Sequence, residues 1–231
     1  MNRWLYVSVT LVGAALAAVG YVWFFRYDDL PGQVPVHWDV NFHPDGFVPR
    51  EGAWKMFLLV PAMMAGWVLL TLLLPWLSPK RFDVDRFRNT YYYVMALVQG
   101  LFCFINVALL LGALGAGPAL GKLFVGGIFL FFALLGNVLG KVKRNFWVGV
   151  RTPWTLASEA VWDRTHRVAA WLFVAAGLVG FVAVLAGVPF WLCFAGLLAA
   201  VFAPVLYSLW LYKRLQREGR LDGGAGEAAP T

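Results

Sequence analysis

Charge is what this sequence lacks most. Of its 231 residues only 13% are Asp, Glu, Lys or Arg, against about 25% in ordinary soluble domains. A water-soluble globule of this size has no means of covering itself with so few charges, which excludes an ordinary cytosolic enzyme. Cysteine is nearly absent: Cys103 and Cys193 both fall inside apolar runs. They read as small core residues, which excludes a secreted disulfide scaffold and a thiolate metal site. No HExxH zinc box, glycine-rich phosphate loop or nucleophile motif occurs, and no internal repeat is visible. The apolar share of 61% excludes a disordered chain.

What is abundant is long apolar runs. A membrane-crossing helix needs about 20 mostly apolar residues. Six stretches qualify: Trp4–Phe25, Trp54–Leu77, Tyr91–Gly115, Ala119–Leu139, Val168–Gly187 and Phe190–Tyr212. The first begins like a signal peptide, but its apolar run is too long for one and ends in the aromatic cluster Tyr21, Trp23, Phe24 and Phe25, so it reads as an uncleaved span. The net charge of +7 does not indicate nucleic acid, because the basic residues sit between the spans as topology signals. With the N-terminus in the cytoplasm, Arg26, Arg50, Lys55 and Lys122 fall outside and the other fifteen of 19 Lys and Arg fall inside. The expected fold is therefore an all-α integral membrane protein of six transmembrane helices, both termini inside. One extended extracytoplasmic loop joins the first two spans.

Details of packing follow. Gly187-Val188-Pro189 makes a tight outside hairpin. Pro61 and Pro204 kink the second and sixth spans, with neighbouring helices satisfying the freed carbonyls. Gly136 and Gly140, and Ala176 and Gly180, have the spacing of close helix contacts, read as packing within one chain. The glycine-rich tail 219–231 reads as disordered.

The outside loop, residues 26–53, is held extended by Pro31, Pro35, Pro44 and Pro49. His37, Asp39, Asn41, His43 and Asp45 alternate along it. On one extended strand they would share a face, so His37, Asp39, His43 and Asp45 are candidate ligands for a divalent metal. The plainer reading is Asx-turns and imidazole-to-backbone bonds. Pro35, His37, Trp38, Asp39, Asp45 and Phe47 after a first span resemble the small domain of unknown function that opens SdpI-like membrane proteins, with a departure at Phe42.

The fourth loop mixes Trp147, Trp154 and Trp162 with basic residues, as a membrane interface requires. Thr152-Pro153 reads as an N-cap and first helical residue. Ser158 is a second N-cap with Glu159 in the first turn, and a helix runs from there into the fifth span. Glu159, Trp162, Asp163 and His166 then share a face, and Asp163 and Arg167 form an i, i+4 pair. Three uses compete: an acid–base cluster, a partner surface, and a structural clamp in which Arg151 reaches helix-terminal carbonyls and Asn137 and Asn145 bond backbone.

The run RTPWTL and its surroundings, from Asn137, Lys141, Asn145 and Gly149 through Arg151, Thr152, Pro153, Trp154, Thr155, Leu156 and Ser158 to Val161, Trp162, Thr165, His166 and Arg167, resemble the signature of the SdpI-like family of membrane immunity proteins. The resemblance implies a six-helix protein that confers immunity to a secreted toxic peptide. It also implies a receptor that holds a cytosolic ArsR-type repressor at the membrane. The expected partners are thus lipid, a peptide and that repressor, with no direct nucleic acid contact. The expected partner- or ligand-binding set is Asn137, Asn145, Arg151, Thr152, Pro153, Trp154, Thr155, Glu159, Trp162, His166 and Arg167, with no catalytic residue assigned. A membrane enzyme or transporter using the same face is the alternative. Organisation follows as 1–77 (two spans and loop 26–53), 78–218 (a four-helix domain with signature loop 141–167) and the tail 219–231.

Overall fold

The computed structural model describes residues 2–39, 43–117 and 119–221; most of the expected disordered tail lies outside them. Helices α1 (Arg3–Phe25), α2 (Ala53–Trp76), α3 (Arg88–Ala113), α4 (Ala119–Leu139), α6 (Glu159–Leu185) and α7 (Phe190–Arg217) are each long and apolar enough to cross a membrane. A short helix α5 (Pro153–Ala157) lies between α4 and α6. The chain is a multi-pass membrane protein, and the six expected spans are present. Their ends run further at three places: α3 starts at Arg88, α6 at Glu159, and α7 continues to Arg217. Apolar length marks where a helix is immersed in lipid, whereas backbone hydrogen bonds carry the helix into the headgroups.

The first loop is not one extended strand. Strands β1 (Gln33–Trp38) and β2 (Pro44–Pro49) form an antiparallel hairpin pairing Val34 with Val48 and Pro35 with Phe47. The hairpin is seated on the ends of the helices below it. Leu30 and Val34 are buried with Ala53 and Phe57 of α2 and Leu110 and Ala113 of α3. The Trp38 ring lies so close to α3 that a methyl at Gly112 would stand 2.6 Å from it.

Helices α2 and α3 are joined by a ladder of polar contacts running antiparallel through the span. Tyr91 Oη donates to the Thr71 carbonyl (3.0 Å), Trp67 Nε1 to Met95 (3.1 Å), Gln99 Nε2 to Met64 (3.2 Å) and Asn106 Nδ2 to Phe57 (3.4 Å). The two outer rungs have a specific cause. Pro61 and Pro75 lie inside α2 and have no N–H, so the carbonyls four residues earlier, Phe57 and Thr71, lose their helical donors. Asn106 and Tyr91 of α3 supply replacements. In lipid each such bond contributes about 0.6 kcal/mol, up to about 1.7. Gln99 Nε2 also lies 3.5 Å from the Ser8 carbonyl of α1.

The other half of the molecule is held by close backbone approach. A methyl at Gly136 of α4 would sit 2.7 Å from Val174 N of α6, and one at Gly177 of α6 would sit 2.5 Å from Ala133 N of α4. Gly180 of the second expected pair makes room for the Phe129 ring rather than for backbone, and Gly140 is in looser contact with Ala170. The small residues thus pack helices within one chain. The two halves merge at the end carrying the termini, where Phe87, Tyr91 and Met95 share a buried cluster with Leu139, Val142, Trp162 and Phe173.

Candidate functional site

The segment between α4 and α6 folds upon itself through its own polar groups. Asn145 is fully buried. Its Oδ1 accepts the Trp147 and Val148 N–H groups, both at 2.7 Å, and its Nδ2 donates to the Lys143 (2.7 Å) and Val148 (3.0 Å) carbonyls. All four hydrogen-bonding positions of that amide, two acceptor and two donor, are thereby engaged locally. The chain then turns at Gly149, whose φ of +114° is a conformation that L side chains avoid. A methyl there would also strike His166 Nε2 at 2.2 Å.

That close approach serves a hydrogen bond. The Val150 N–H donates to His166 Nε2 at 3.0 Å, and His166 Nδ1 lies 2.9 Å from the Trp162 carbonyl. An Nε2 that accepts carries no proton, so Nδ1 carries it and donates to Trp162. The His166 ring is buried and stacked on the Trp162 indole, with centroids 4.0 Å apart. Trp162 Nε1 donates in turn to the Val142 carbonyl at 2.7 Å. Two neighbouring turns of α6 therefore hold the two ends of the loop.

The RTPWTL run closes the structure. Thr152 caps α5 in a reciprocal box with Thr155, with Pro153 as first helical residue. Thr155 Oγ1 also donates to the Val150 carbonyl at 2.9 Å. Trp154 Nε1 bonds Ser208 Oγ of α7, and Thr152 Oγ1 lies 3.5 Å from the same oxygen. Ser158 caps α6 by accepting the Val161 N–H, so both expected caps and the helix running into the fifth span are present. Arg144 donates to the Leu156 carbonyl at 3.2 Å and, with Arg86, shares the Glu159 carboxylate (3.5 and 3.3 Å).

Several expectations change. Trp162 and His166 are buried, whereas the Glu159 and Asp163 side chains are about half exposed. The four do share a stretch of helix, but its two edges face different surroundings, so the acid–base cluster is not assembled. Asp163 pairs with Lys143 at 3.9 Å rather than with Arg167, because the folded loop brings that lysine alongside. Arg151 bonds the Phe146 carbonyl within the loop, not a helix terminus. Asn137 and Arg167 are exposed on α4 and α6, away from this network. Ser208, Arg144, Arg86 and Gly149 were not singled out as site residues. A serine late in an apolar span and a glycine between β-branched residues were the available signals. Arg144 Nε, Trp147 Nε1 and Thr165 Oγ1 are buried with no partner among the described residues.

In the hairpin the candidate metal ligands form two separate pairs. His37 Nδ1 is 2.5 Å from Asp45 Oδ1 across the strands, and Asp39 accepts the His43 N–H at 2.8 Å with its other oxygen 3.6 Å from His43 Nδ1. The antiparallel pairing of β1 with β2 separates what a single strand would have aligned. Among the described residues no three His, Cys, Asp or Glu side chains converge on a cation site; Asn41 lies outside them.

Residues 141–208 match the model of the SdpI/YfhL protein family, and residues 13–65 match a domain of unknown function (DUF1648). The first match begins at the signature loop and ends at Ser208, the α7 partner of Trp154. The second spans the hairpin. The chain is 25% identical over 153 residues to the immunity protein SdpI of Bacillus subtilis (strain 168), which covers 66% of this chain and 70% of that protein. No solved structure matches. The resemblance read from RTPWTL and from the proline-flanked loop is borne out.

Proposed function

We infer that this SdpI-like chain is a membrane immunity protein that protects its cell against a secreted antimicrobial peptide. The observation that carries the reading is the coincidence of the relative's likeness with the folded signature loop. Asn145, Arg151, Thr152, Thr155, Trp162 and His166 of the signature spend their side-chain hydrogen bonds on the loop itself, as a protein needing a fixed internal scaffold requires. The distribution of basic residues supports an orientation with both termini in the cytoplasm and the hairpin outside.

In this reading the exposed hairpin side chains meet the peptide, and the loop between α4 and α6 carries the response inward. Arg151, Thr152, Pro153, Trp154, Thr155, Asn145, Trp162 and His166 act as positioning residues that hold the loop against α6 and α7. Glu159, Arg167 and Asn137, being exposed, are available to a cytosolic partner, such as a repressor held at the membrane. Signalling of this kind requires that the peptide bind one of two states more tightly than the other. The contact between Trp154 and Ser208 is a suitable element, since it couples the loop to α7.

The test is growth of a peptide-sensitive bacterium beside a peptide-secreting strain, with and without this chain. Protection is expected from the native sequence. It is expected to be lost in Arg151→Ala and Trp154→Ala while membrane insertion persists. Full protection by both variants would remove the loop from the mechanism, and no protection by any version would remove the immunity reading.

A further inference from the structure

A cleft of about 440 Å³ lies where α1, α2 and α3 end together, on the side of the molecule that carries the termini. Its lining has two zones. Leu5 of α1, Leu72 of α2 and Tyr92 of α3 form an apolar wall, and Asn2 and Arg88 stand at the helix starts. Leu72 is about half exposed, so the wall is open on the lipid-facing side of α2. Apolar depth beneath a cationic rim, at the level where spans leave the bilayer, fits the division of a phospholipid into acyl chain and headgroup.

The rim is ordered. Asn2 Nδ2 donates to Asn89 Oδ1 at 2.8 Å, which joins the first turns of α1 and α3. Arg3 is stacked on the Trp4 ring at 4.9 Å, and Trp4 packs edge-on against Tyr93. The acidic group facing Arg88 is Asp85 at 3.5 Å, with both side chains about two-thirds exposed. An exposed pair of that kind is weak and leaves the guanidinium able to take a phosphate. The positive ends of α1 and α3 add to the same potential.

We propose that this cleft binds one anionic glycerophospholipid of the cytoplasmic leaflet, its phosphate on Arg88 and its chain along Leu5, Leu72 and Tyr92. The leaflet assignment rests on the orientation proposed above; the binding itself does not. An anchored lipid would brace α1, α2 and α3 at the end opposite the hairpin.

The experiment is native mass spectrometry of the full chain purified in mild detergent, with phosphatidylglycerol or phosphatidylethanolamine added in turn. One phosphatidylglycerol should stay bound in preference to phosphatidylethanolamine. Arg88→Gln should weaken its retention roughly fivefold, the worth of one basic residue at an anionic surface. Leu72→Trp, which fills the cleft without touching a charge, should also weaken it. Arg217→Gln, a basic residue at the far end of α7, should leave it unchanged. Equal retention of the two lipids, or unchanged binding in Arg88→Gln, would overturn the proposal. So would displacement of phosphatidylglycerol by millimolar inorganic phosphate, which would mark a free-anion site instead. Because binding is read on purified protein, its failure would be distinct from a failure of the protection assay.

Discussion

The two long connections of this molecule solve opposite problems with similar residues. Each carries asparagine, tryptophan and proline, and each involves histidine and aspartate, within the hairpin itself in the first and from the start of α6 in the second. In the hairpin the polar groups are turned outward: the His37 and His43 side chains are 73% and 79% exposed, and apolar groups, chiefly Leu30, Val34, Val48 and the Trp38 contact, anchor it. In the loop between α4 and α6 they are turned inward, and Asn145 and Thr155 of the loop and His166 of α6 beneath it have no exposed surface at all. A buried polar group is costly unless paired, so the second loop is committed to one arrangement while the first is free to meet other molecules.

That contrast is sharpest at Trp162. Trp162→Ala should open a cavity and orphan the Val142 carbonyl, lowering stability by about 3–5 kcal/mol. Thermal unfolding in detergent checks this, and a loss under about 1 kcal/mol would mean the indole does not hold the loop. His166→Ala leaves the Val150 N–H without an acceptor and should cost about 1–3 kcal/mol. Gly149→Ala should cost about as much through its left-handed backbone and the collision with the imidazole. Cleavage by protease between Lys141 and Arg151 should rise in both variants and stay at the native level in hairpin variants. Asn106→Leu, which removes a rung between α2 and α3 and frees the Phe57 carbonyl again, should cost about 0.6–1.7 kcal/mol in the same unfolding measurement. His37→Ala and Asp45→Ala should change stability least, by under about 1 kcal/mol for an exposed pair, yet reduce protection in the growth assay. Stability losses in these two matching those of His166→Ala would erase the distinction between the loops.

The sequence made the spans legible because lipid imposes a length and a composition that few other environments share. The caps at Thr152 and Ser158 were legible for a similar reason, being local chemistry within a few residues. The proline-freed carbonyl at Phe57 was anticipated as needing a neighbour, and Asn106 provides it; the matching rung from Tyr91 to Thr71 was not, since a tyrosine among Tyr91-Tyr92-Tyr93 carries no mark of which one faces α2. The hairpin was missed because alternation of polar residues signals an extended chain and is silent on whether that chain doubles back. For Glu159, Trp162, Asp163 and His166 the helical period correctly placed four residues on neighbouring positions. It did not tell which edge of that stripe would be covered, because the cover is the loop itself, folded by Asn145 and Gly149.

The signature residues build a closed scaffold rather than an open site. Hydrogen–deuterium exchange of the detergent-purified chain tests it most directly. Peptides covering 145–151 should exchange slowly, as slowly as a membrane-embedded turn of α6 allows, and His166→Ala should accelerate them without changing peptides covering 43–49. Rapid exchange across 145–151 in the native chain, indifferent to His166→Ala, would mean that the loop is open and not held by the imidazole.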